Sequence, residues 1–297
     1  MLSIRKLVKV YPGPVTALQG VSLEIAPGMF GLLGPNGAGK STMMKIVAGV
    51  LEPTSGEVIL DGENVTANPE RLWPALGYLP QDFGFYPHLS GEAMLTYLLE
   101  LKGVTGPHGT KRLVADLLER VNLTPAARRK VKDYSGGMRQ RLGIAQAIAG
   151  DPKLMIVDEP TAGLDPEERH RFYRLLAELA ERRTVILSTH IVEDVAVLCP
   201  RFAVVRQGQV VTITSPTDAK KSLEGTIFEG AVTGPELEEL KKTRRVTQAY
   251  LVEGRNHVRV HQPDRIAPNG LVASEATLED AYLVAMQQDN AGTGRAA

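Results

Sequence analysis

This 297-residue chain contains a single cysteine, Cys199. A single thiol excludes an intramolecular disulfide and a cysteine-based zinc site, and it is typical of proteins from a reducing compartment. Neither sign of charge is in excess, because 34 Lys and Arg residues balance 34 Asp and Glu residues. A basic field over the whole chain, of the kind that binds nucleic acid, is therefore excluded, although a local basic patch is not.

Long apolar segments are also lacking. The longest uninterrupted apolar runs have only a few residues, for example 154–157, whereas a membrane-spanning helix needs about 18–20. The first residues show no apolar core of a secretory signal. Hydrophobic residues still make up 43% of the chain, enough for a sizeable core. We therefore expect a soluble, neutral, cytosolic protein, and the composition indicates no connection to membranes.

Short apolar runs alternate with helical patterns along most of the chain. The alternation predicts an α/β fold with a mostly parallel sheet, N-terminal antiparallel strands before it and an inserted helical subdomain at about 84–150. Asp165, Pro166 and Glu168 form the N-cap, first-position and capping-box pattern of a later helix. We predict this domain over residues 1–215, a small α+β accessory domain over 216–288 and a disordered tail over 289–297.

A glycine-rich turn between a predicted strand and a predicted helix gives the strongest chemical signal. Its sequence from Gly34 to Ser41, GPNGAGKS, matches the phosphate-binding pattern G-x-x-x-x-G-K-[ST] of P-loop NTPases. The glycines let the backbone wrap around phosphates, and the N–H groups at the helix start point at the anion. Lys40 would reach the β- and γ-phosphates of a nucleotide, and Ser41 would ligate Mg²⁺.

Two acids at the end of a buried strand supply the partner that a P-loop needs. Asp158 closes the apolar run LMIVD and is the predicted Mg²⁺ carboxylate. Glu159 follows directly, and we predict that it activates the water that attacks the γ-phosphate.

Four further residues or segments are weaker signals when taken alone. In YSGGM (134–138), a Ser and two Gly at a helix start suit an anion nest, although an ordinary N-capped helix is the preferred interpretation of this segment alone. His190 follows the buried strand TVILST and is therefore expected at the carboxyl edge of the sheet. Gln81 follows the strand-like segment GYLP and is a weak signal alone. Tyr11 ends the first strand and, as a lone aromatic, suits packing.

Taken together and in this order, the motifs resemble the nucleotide-binding subunit of ABC transporters over roughly residues 2–215. The resemblance makes Glu159, His190, Gln81 and Lys40 catalytic, and makes Ser41, Gln81 and Asp158 the Mg²⁺ ligands. It assigns ATP contacts to Walker A, to the signature Ser135, Gly136 and Gly137, to the D-loop Asp165 and to an adenine-stacking Tyr11. The Walker A residues concerned are Gly34, Asn36, Gly37, Ala38, Gly39, Lys40, Ser41 and Thr42.

The signature departs from the family's usual LSGGQ, because Tyr134 replaces Leu and Met138 replaces Gln. YSGGM is similar to the variant of the ABC-2-type exporters for drugs and polysaccharides, and so is the C-terminal ATLEDAYLVAM. The resemblance thus implies an ATPase that drives export, with ATP and Mg²⁺ as cofactors.

The partners implied by the family are a polytopic membrane permease and a second ATPase subunit, a copy or a related chain, at the cytoplasmic face of the cell membrane. Nucleic acid is not expected. The aromatic residues Phe83, Phe85 and Tyr86 suit either a docking groove for a short permease helix or the core of the helical subdomain. The alternative function is a soluble ABC-type ATPase in iron–sulfur assembly or on nucleic acid or ribosomes.

Overall fold

The computed structural model describes residues 1–13, 15–81, 84–161 and 164–287, and they form two compact units. The first unit comprises Met1–Pro200 and Val205–Val210, and the second comprises Arg201–Val204 and the described residues from Val211 onward. The chain thus passes from one unit to the other between residues 200 and 211, before residue 215. The tail predicted at 289–297 lies outside the described residues.

The chain up to residue 214 alternates strands and helices. Its strands are β1 (Leu2–Tyr11), β2 (Val15–Ile25), β3 (Gly28–Leu33), β4 (Ser55–Leu60), β5 (Glu63–Asn64), β6 (Leu76–Leu79), β7 (Leu154–Asp158), β8 (Thr184–Thr189), β9 (Arg201–Arg206) and β10 (Gln209–Thr214). Its helices are α1 (Lys40–Val47), α2 (Gly91–Leu101), α3 (Thr110–Arg120), α4 (Gly136–Ile148), α5 (Pro166–Ala180) and α6 (Val192–Leu198).

Two sheets carry this part of the fold. The N-terminal strands form an antiparallel sheet in the order β2-β1-β4-β5, and the second sheet has the order β10-β9-β3-β8-β7-β6. In the second sheet, β3, β8, β7 and β6 pair in parallel. Every residue of β7 and β8 is buried, as expected for strands covered on both faces. The predicted α/β class, the mostly parallel sheet and the antiparallel N-terminal strands are confirmed.

The parallel pairing decides where the polar side chains gather. The carboxyl ends of neighbouring parallel strands lie at one edge of a sheet, which is where ligands bind in α/β folds. Gly34 follows β3, Glu159 follows β7 and His190 follows β8. These three chain segments therefore meet at the same edge.

The predicted inserted segment contains α2, α3 and α4. Ser90 caps α2, since its Oγ accepts a hydrogen bond from Ala93 N at 3.2 Å. Asp165 likewise caps α5 through Glu168 N at 2.8 Å. The sequence pattern also predicts a hydrogen bond from Asp165 N back to the Glu168 carboxylate. That part of the prediction is wrong, because the carboxylate forms an ion pair with Arg141 of α4 instead.

The second unit adds an α+β arrangement of its own. Its elements are α7 (Pro216–Lys221), β11 (Ile227–Val232), α8 (Gly234–Thr243), β12 (Arg245–Val252), β13 (Arg255–His261), β14 (Val272–Ala273) and α9 (Leu278–Gln287). The strands form an antiparallel sheet in the order β12-β13-β11-β14. Arg259 of β13 binds the fully buried Asp280 of α9 at 2.8 Å, which ties this helix to the sheet. Among the described residues, no helix is long and apolar enough to span a membrane.

Candidate functional site

The turn between β3 and α1 has the backbone that a phosphate loop requires. A Cβ on Gly34 would lie 2.2 Å from the backbone oxygen of Val205, and one on Gly39 would lie 2.5 Å from that of Ala17. Gly39 also has a φ of 100°, which L side chains rarely adopt. Glycine is therefore required at both positions by close backbone neighbours.

Lys40 begins α1 and is almost completely buried inside this turn. Its Nζ donates to the backbone oxygens of Gly34 at 2.7 Å and Pro35 at 3.1 Å. Ser41 and Thr42 follow, half-buried, in the first turn of the helix, which contains no acidic residue. The positive end of the helix dipole is thus left for an anion.

Glu159 lies directly after β7 with only 5% of its surface exposed. Its Oε1 is 3.4 Å from Lys40 Nζ, and its Oε2 is 2.9 Å from Nδ1 of the partly exposed His190. Its φ of 49° is uncommon for a residue with a side chain, and its N–H donates to Ser188 O at 2.8 Å. The structure therefore brings three of the predicted catalytic residues into one contiguous group.

Asp158 ends β7 with 2% exposure, and its Oδ1 has no hydrogen-bond partner among the described residues. Ser188 lies opposite it in the register of β8, and the Ser188 hydroxyl is also buried and unpartnered there. The Tyr78 hydroxyl of β6 is a third such group. Burial, and then the charge of Asp158, raises the pKa of Tyr78 to about 12. Sequence reasoning missed Ser188 and Tyr78.

Tyr11 lies at the phosphate loop rather than in an ordinary packing position. Its hydroxyl is 3.4 Å from Thr42 Oγ1, and Lys9 Nζ lies 5.4 Å from the centre of its ring. Gln81, two residues beyond β6, is exposed and forms no hydrogen bond or ion pair with the described residues. The structure thus joins Tyr11 to the site and leaves Gln81 outside its contacts.

The signature segment opens α4. Ser135 Oγ accepts from Met138 N at 3.2 Å and caps the helix. Gly136 is exposed, and Gly137 is packed against Glu168 so closely that a Cβ would lie 2.8 Å from its carboxylate. Within the described chain, no hydrogen bond or ion pair joins Ser135, Gly136 or Gly137 to Lys40 or Glu159. Among the described residues, the two predicted ATP-contacting motifs thus share no such bond.

Tyr134, the unusual first residue of the signature, is a packing residue. It is 3% exposed, its hydroxyl donates to Ala126 O at 2.8 Å, and burial raises its pKa. Asp165, predicted to contact ATP, uses its carboxylate to cap α5. Residues 162 and 163, which precede it in the D-loop, lie outside the described residues, as does Phe83.

A buried cluster behind Glu159 and His190 also escaped the sequence reasoning. The carboxylate of Asp194 in α6 accepts hydrogen bonds from the hydroxyls of Thr161, Thr189 and Tyr173. The available signal was an acid on the apolar face of a short helix, since Asp194 shares that face with Val195 and Leu198.

Comparison with known proteins agrees with this geometry. A family model described as ABC transporter matches residues 18–162. The linearmycin resistance ATP-binding protein LnrL of Bacillus subtilis is 35% identical over 271 residues, which cover 88% of this chain and 83% of that protein. The Nod factor export ATP-binding protein I of Cupriavidus metallidurans is 37% identical over 246 residues, which cover 82% of this chain and 80% of that protein.

Solved structures give the same result. One, a dimeric ATP-binding cassette in a post-hydrolysis state bound to ADP and Pi, is 27% identical with a TM-score of 0.66, covering 72% of this chain and 98% of that chain. Another, an ATP-binding subunit of an ABC transporter, is 27% identical with a TM-score of 0.66, covering 82% of this chain and 98% of that chain. The alternative role outside transport is not favoured by these relatives. The chain belongs to the ABC transporter family and is an ATP-binding subunit that hydrolyses ATP.

Proposed function

We propose that this chain is the motor subunit of an exporter and that ATP is hydrolysed at the edge where β3, β7 and β8 end. The observation that carries the proposal is the link from Lys40 Nζ through the buried Glu159 carboxylate to His190 Nδ1, with distances of 3.4 and 2.9 Å. A carboxylate held between a phosphate-binding lysine and a histidine is suited to act on water beside the γ-phosphate.

Each of these side chains has a distinct part in the reaction. When ATP is bound, Lys40 donates to phosphate oxygens and stabilises the negative charge that builds on them. Glu159 Oε1 is then free to take a proton from the attacking water, while His190 Nδ1 holds Oε2 in place. The water oxygen bonds to the γ-phosphorus, the bond to the ADP oxygen breaks, and ADP and phosphate are the products.

The donors around Asp158 fit Mg²⁺. Asp158 Oδ1, Ser188 Oγ and Tyr78 OH are buried oxygens without partners among the described residues, and Mg²⁺ prefers oxygen ligands. Asp158 and Ser41 would hold the ion, with Gln81 as a further ligand on the family pattern. In the described part of the chain, no three His, Cys, Asp or Glu side chains lie close enough together to hold a metal by themselves. Phosphate and water would therefore complete the shell. When bound, the ion neutralises phosphate charge.

A second ATP-binding subunit completes each site. The signature residues Ser135, Gly136 and Gly137 have no bond to Lys40 or Glu159 in the described chain, which supports their use on a nucleotide held by another subunit. Asp165 would act in the same interface, and Tyr11 would stack on adenine. A dimeric cassette is among the similar solved structures, which supports a dimer here. ATP would then favour the closed pair, and hydrolysis would release it.

A membrane permease is the other proposed partner, at the cytoplasmic face of the membrane. Tyr86 follows the Gln81 segment, is 56% exposed and packs edge-to-face on the 37% exposed Tyr97 at 5.5 Å. An exposed aromatic pair suits a groove for a short helix better than a subdomain core. The names of the relatives, linearmycin resistance and Nod factor export, support the exporter assignment.

Co-purification from detergent-solubilised membranes tests this function. We expect the tagged full-length chain to bring down a polytopic membrane protein in fixed proportion, and the complex to hydrolyse ATP faster than the free chain. Tyr86→Ala should weaken the association, whereas Tyr250→Ala should not, because Tyr250 is a tyrosine of the second unit that is also exposed, at 45%. Isolation of the chain with nucleic acid or soluble partners alone would contradict the proposal.

A further inference from the structure

The cluster behind the hydrolytic edge is centred on one buried carboxylate. Asp194 is 0% exposed, and its two oxygens accept hydrogen bonds from three hydroxyls. Thr161 Oγ1 and Thr189 Oγ1 donate to Oδ2 at 2.6 and 2.7 Å, and Tyr173 OH donates to Oδ1 at 2.5 Å. All three donors are themselves at least 96% buried, since their exposures are 0%, 1% and 4%.

This carboxylate lacks an ion-pair partner in the part of the chain that the structure describes. Within the described residues, no Lys, Arg or His lies in salt-bridge contact with Asp194, so the hydroxyls are its hydrogen-bonding partners. A buried carboxylate without a cation is costly, and an apolar residue would fill the same face of α6 at less cost. Burial, and then the hydrogen bond to Asp194, raises the pKa of Tyr173, which keeps that hydroxyl protonated as a donor.

The positions of the two threonines connect this cluster to the reaction site. Thr161 comes two residues after Glu159, and Thr189 comes immediately before His190. The backbone oxygen of Thr189 also accepts from Gly34 N at 3.3 Å, so the same residue contacts the start of the phosphate loop. Thr189 Oγ1 accepts in turn from Ile191 N at 3.0 Å, which fixes the backbone on both sides of His190.

We propose that Asp194 is a positioning residue for ATP hydrolysis, which acts by anchoring Thr161 and Thr189 to one point. With both anchored, the segments that carry Glu159 and His190 are held at the separation that gives their 2.9 Å contact. This inference rests on the proposed roles of Glu159 and His190. Tyr173 extends the anchor to α5, the helix that Asp165 caps.

The threonines allow a test that leaves Asp194 itself in place. Thr161→Val and Thr189→Val keep the shape of the side chain and remove the hydroxyl, whereas Thr161→Ser and Thr189→Ser keep the hydroxyl. In the full-length chain we expect each Val variant to lower kcat about tenfold, with the KM for ATP and the affinity for ATP within about twofold of wild type. Each Ser variant should stay within about twofold of the wild-type kcat.

Thr184→Val is the matched control, because Thr184 is the buried first residue of the same strand, β8, at its other end. It should leave kcat unchanged. A double variant gives a second readout. Because Thr161 and Thr189 act through the same carboxylate, Thr161→Val with Thr189→Val should lower kcat by less than the product of the two single effects.

Several outcomes would overturn the positioning role. These are Val variants with the wild-type kcat, Ser variants as slow as the Val variants, independent effects in the double variant, or a fall in ATP affinity and Tm that matches the fall in kcat. Glu159→Gln is assayed in parallel. Full hydrolysis by that variant would contradict the proposed role of Glu159, whatever the threonine variants do, so the two proposals fail by different measurements.

Discussion

Lys40 Nζ and Glu159 Oε1 lie 3.4 Å apart, and each side chain is only 4% exposed. A cation and an anion buried together stabilise one another strongly, and each becomes costly when its partner is removed. Phosphate oxygens must compete with Glu159, Gly34 O and Pro35 O for the same ammonium. Binding and hydrolysis are thus coupled through one side chain.

Glu159→Gln should separate these two processes. The amide keeps the size of the side chain but cannot take a proton from water, and it holds Lys40 less strongly than a carboxylate does. We expect ATP binding to be retained or tightened, and turnover to fall roughly 10²-fold or more. Isothermal titration with ATP and release of phosphate measure the two effects. Glu167→Gln, an exposed acid of α5 paired with Arg171, is the control. Near-normal turnover in Glu159→Gln would remove this residue from the role of base.

Lys40→Ala should abolish detectable ATP binding. The change removes the cation from the phosphate loop and leaves the buried Glu159 with its contact to His190 Nδ1. Lys45→Ala is the matched control, because Lys45 lies on the same helix with its side chain exposed. Equilibrium binding of a fluorescent ATP analogue compares the two variants. Retained binding in the micromolar range by Lys40→Ala would mean that the loop is not the main site.

The parts of the site that sequence could predict are those set by local pattern. Asp158 ends a buried strand, and the glycine loop, Glu159 and His190 each follow one, so parallel pairing is sufficient to bring them together. Contacts between distant segments were beyond that reasoning. The spacing of Asp165 and Glu168 predicts a reciprocal cap, yet Arg141 takes the Glu168 carboxylate.

Two further residues illustrate the same limit. The hydrogen bond from the Tyr134 hydroxyl to Ala126 O depends on how the chain before α4 folds back, so the signature alone could not reveal a packing role. Asp194 accepts hydrogen bonds from the hydroxyls of a loop residue, a residue at a strand end and a helix residue. No spacing in the sequence relates these three donors. Such clusters are specified by tertiary packing, which periodicity does not describe.

Gly34→Ala should damage both the loop and the fold around it. The added Cβ would lie 2.2 Å from Val205 O and 3.2 Å from the carbon of the same carbonyl, so the backbone itself must shift. Overpacking of this kind costs about 1–3 kcal/mol of the free energy of unfolding, and a displaced loop loses its phosphate geometry. We expect ATP affinity to fall by more than about tenfold. Gly234→Ala, where a Cβ would meet nothing within 4 Å, should change neither urea unfolding nor ATP titration.

The surroundings of His261, in the second unit, predict a pH dependence of stability. It ends β13 with 8% exposure, and its Nδ1 has no hydrogen-bond partner among the described residues. Burial, and then the charge of Arg245 in the paired strand, lowers the pKa of His261 below 6.5, although Asp280 opposes the change. The folded unit therefore disfavours the protonated imidazole.

The sign of the effect follows from proton binding in the two states. Between pH 6.5 and the lower folded pKa, the unfolded chain binds more protons at His261, so the free energy of unfolding falls as pH falls through that window. Because the stabilisation is fully present above 6.5, we expect the urea midpoint of wild type to be lower at pH 5.5 than at pH 7.5. His261→Gln should show a smaller difference, and His108→Gln, an exposed histidine of the first unit, should keep the wild-type difference. Circular dichroism at the two pH values measures the midpoints, and equal pH differences in wild type and His261→Gln would contradict the prediction.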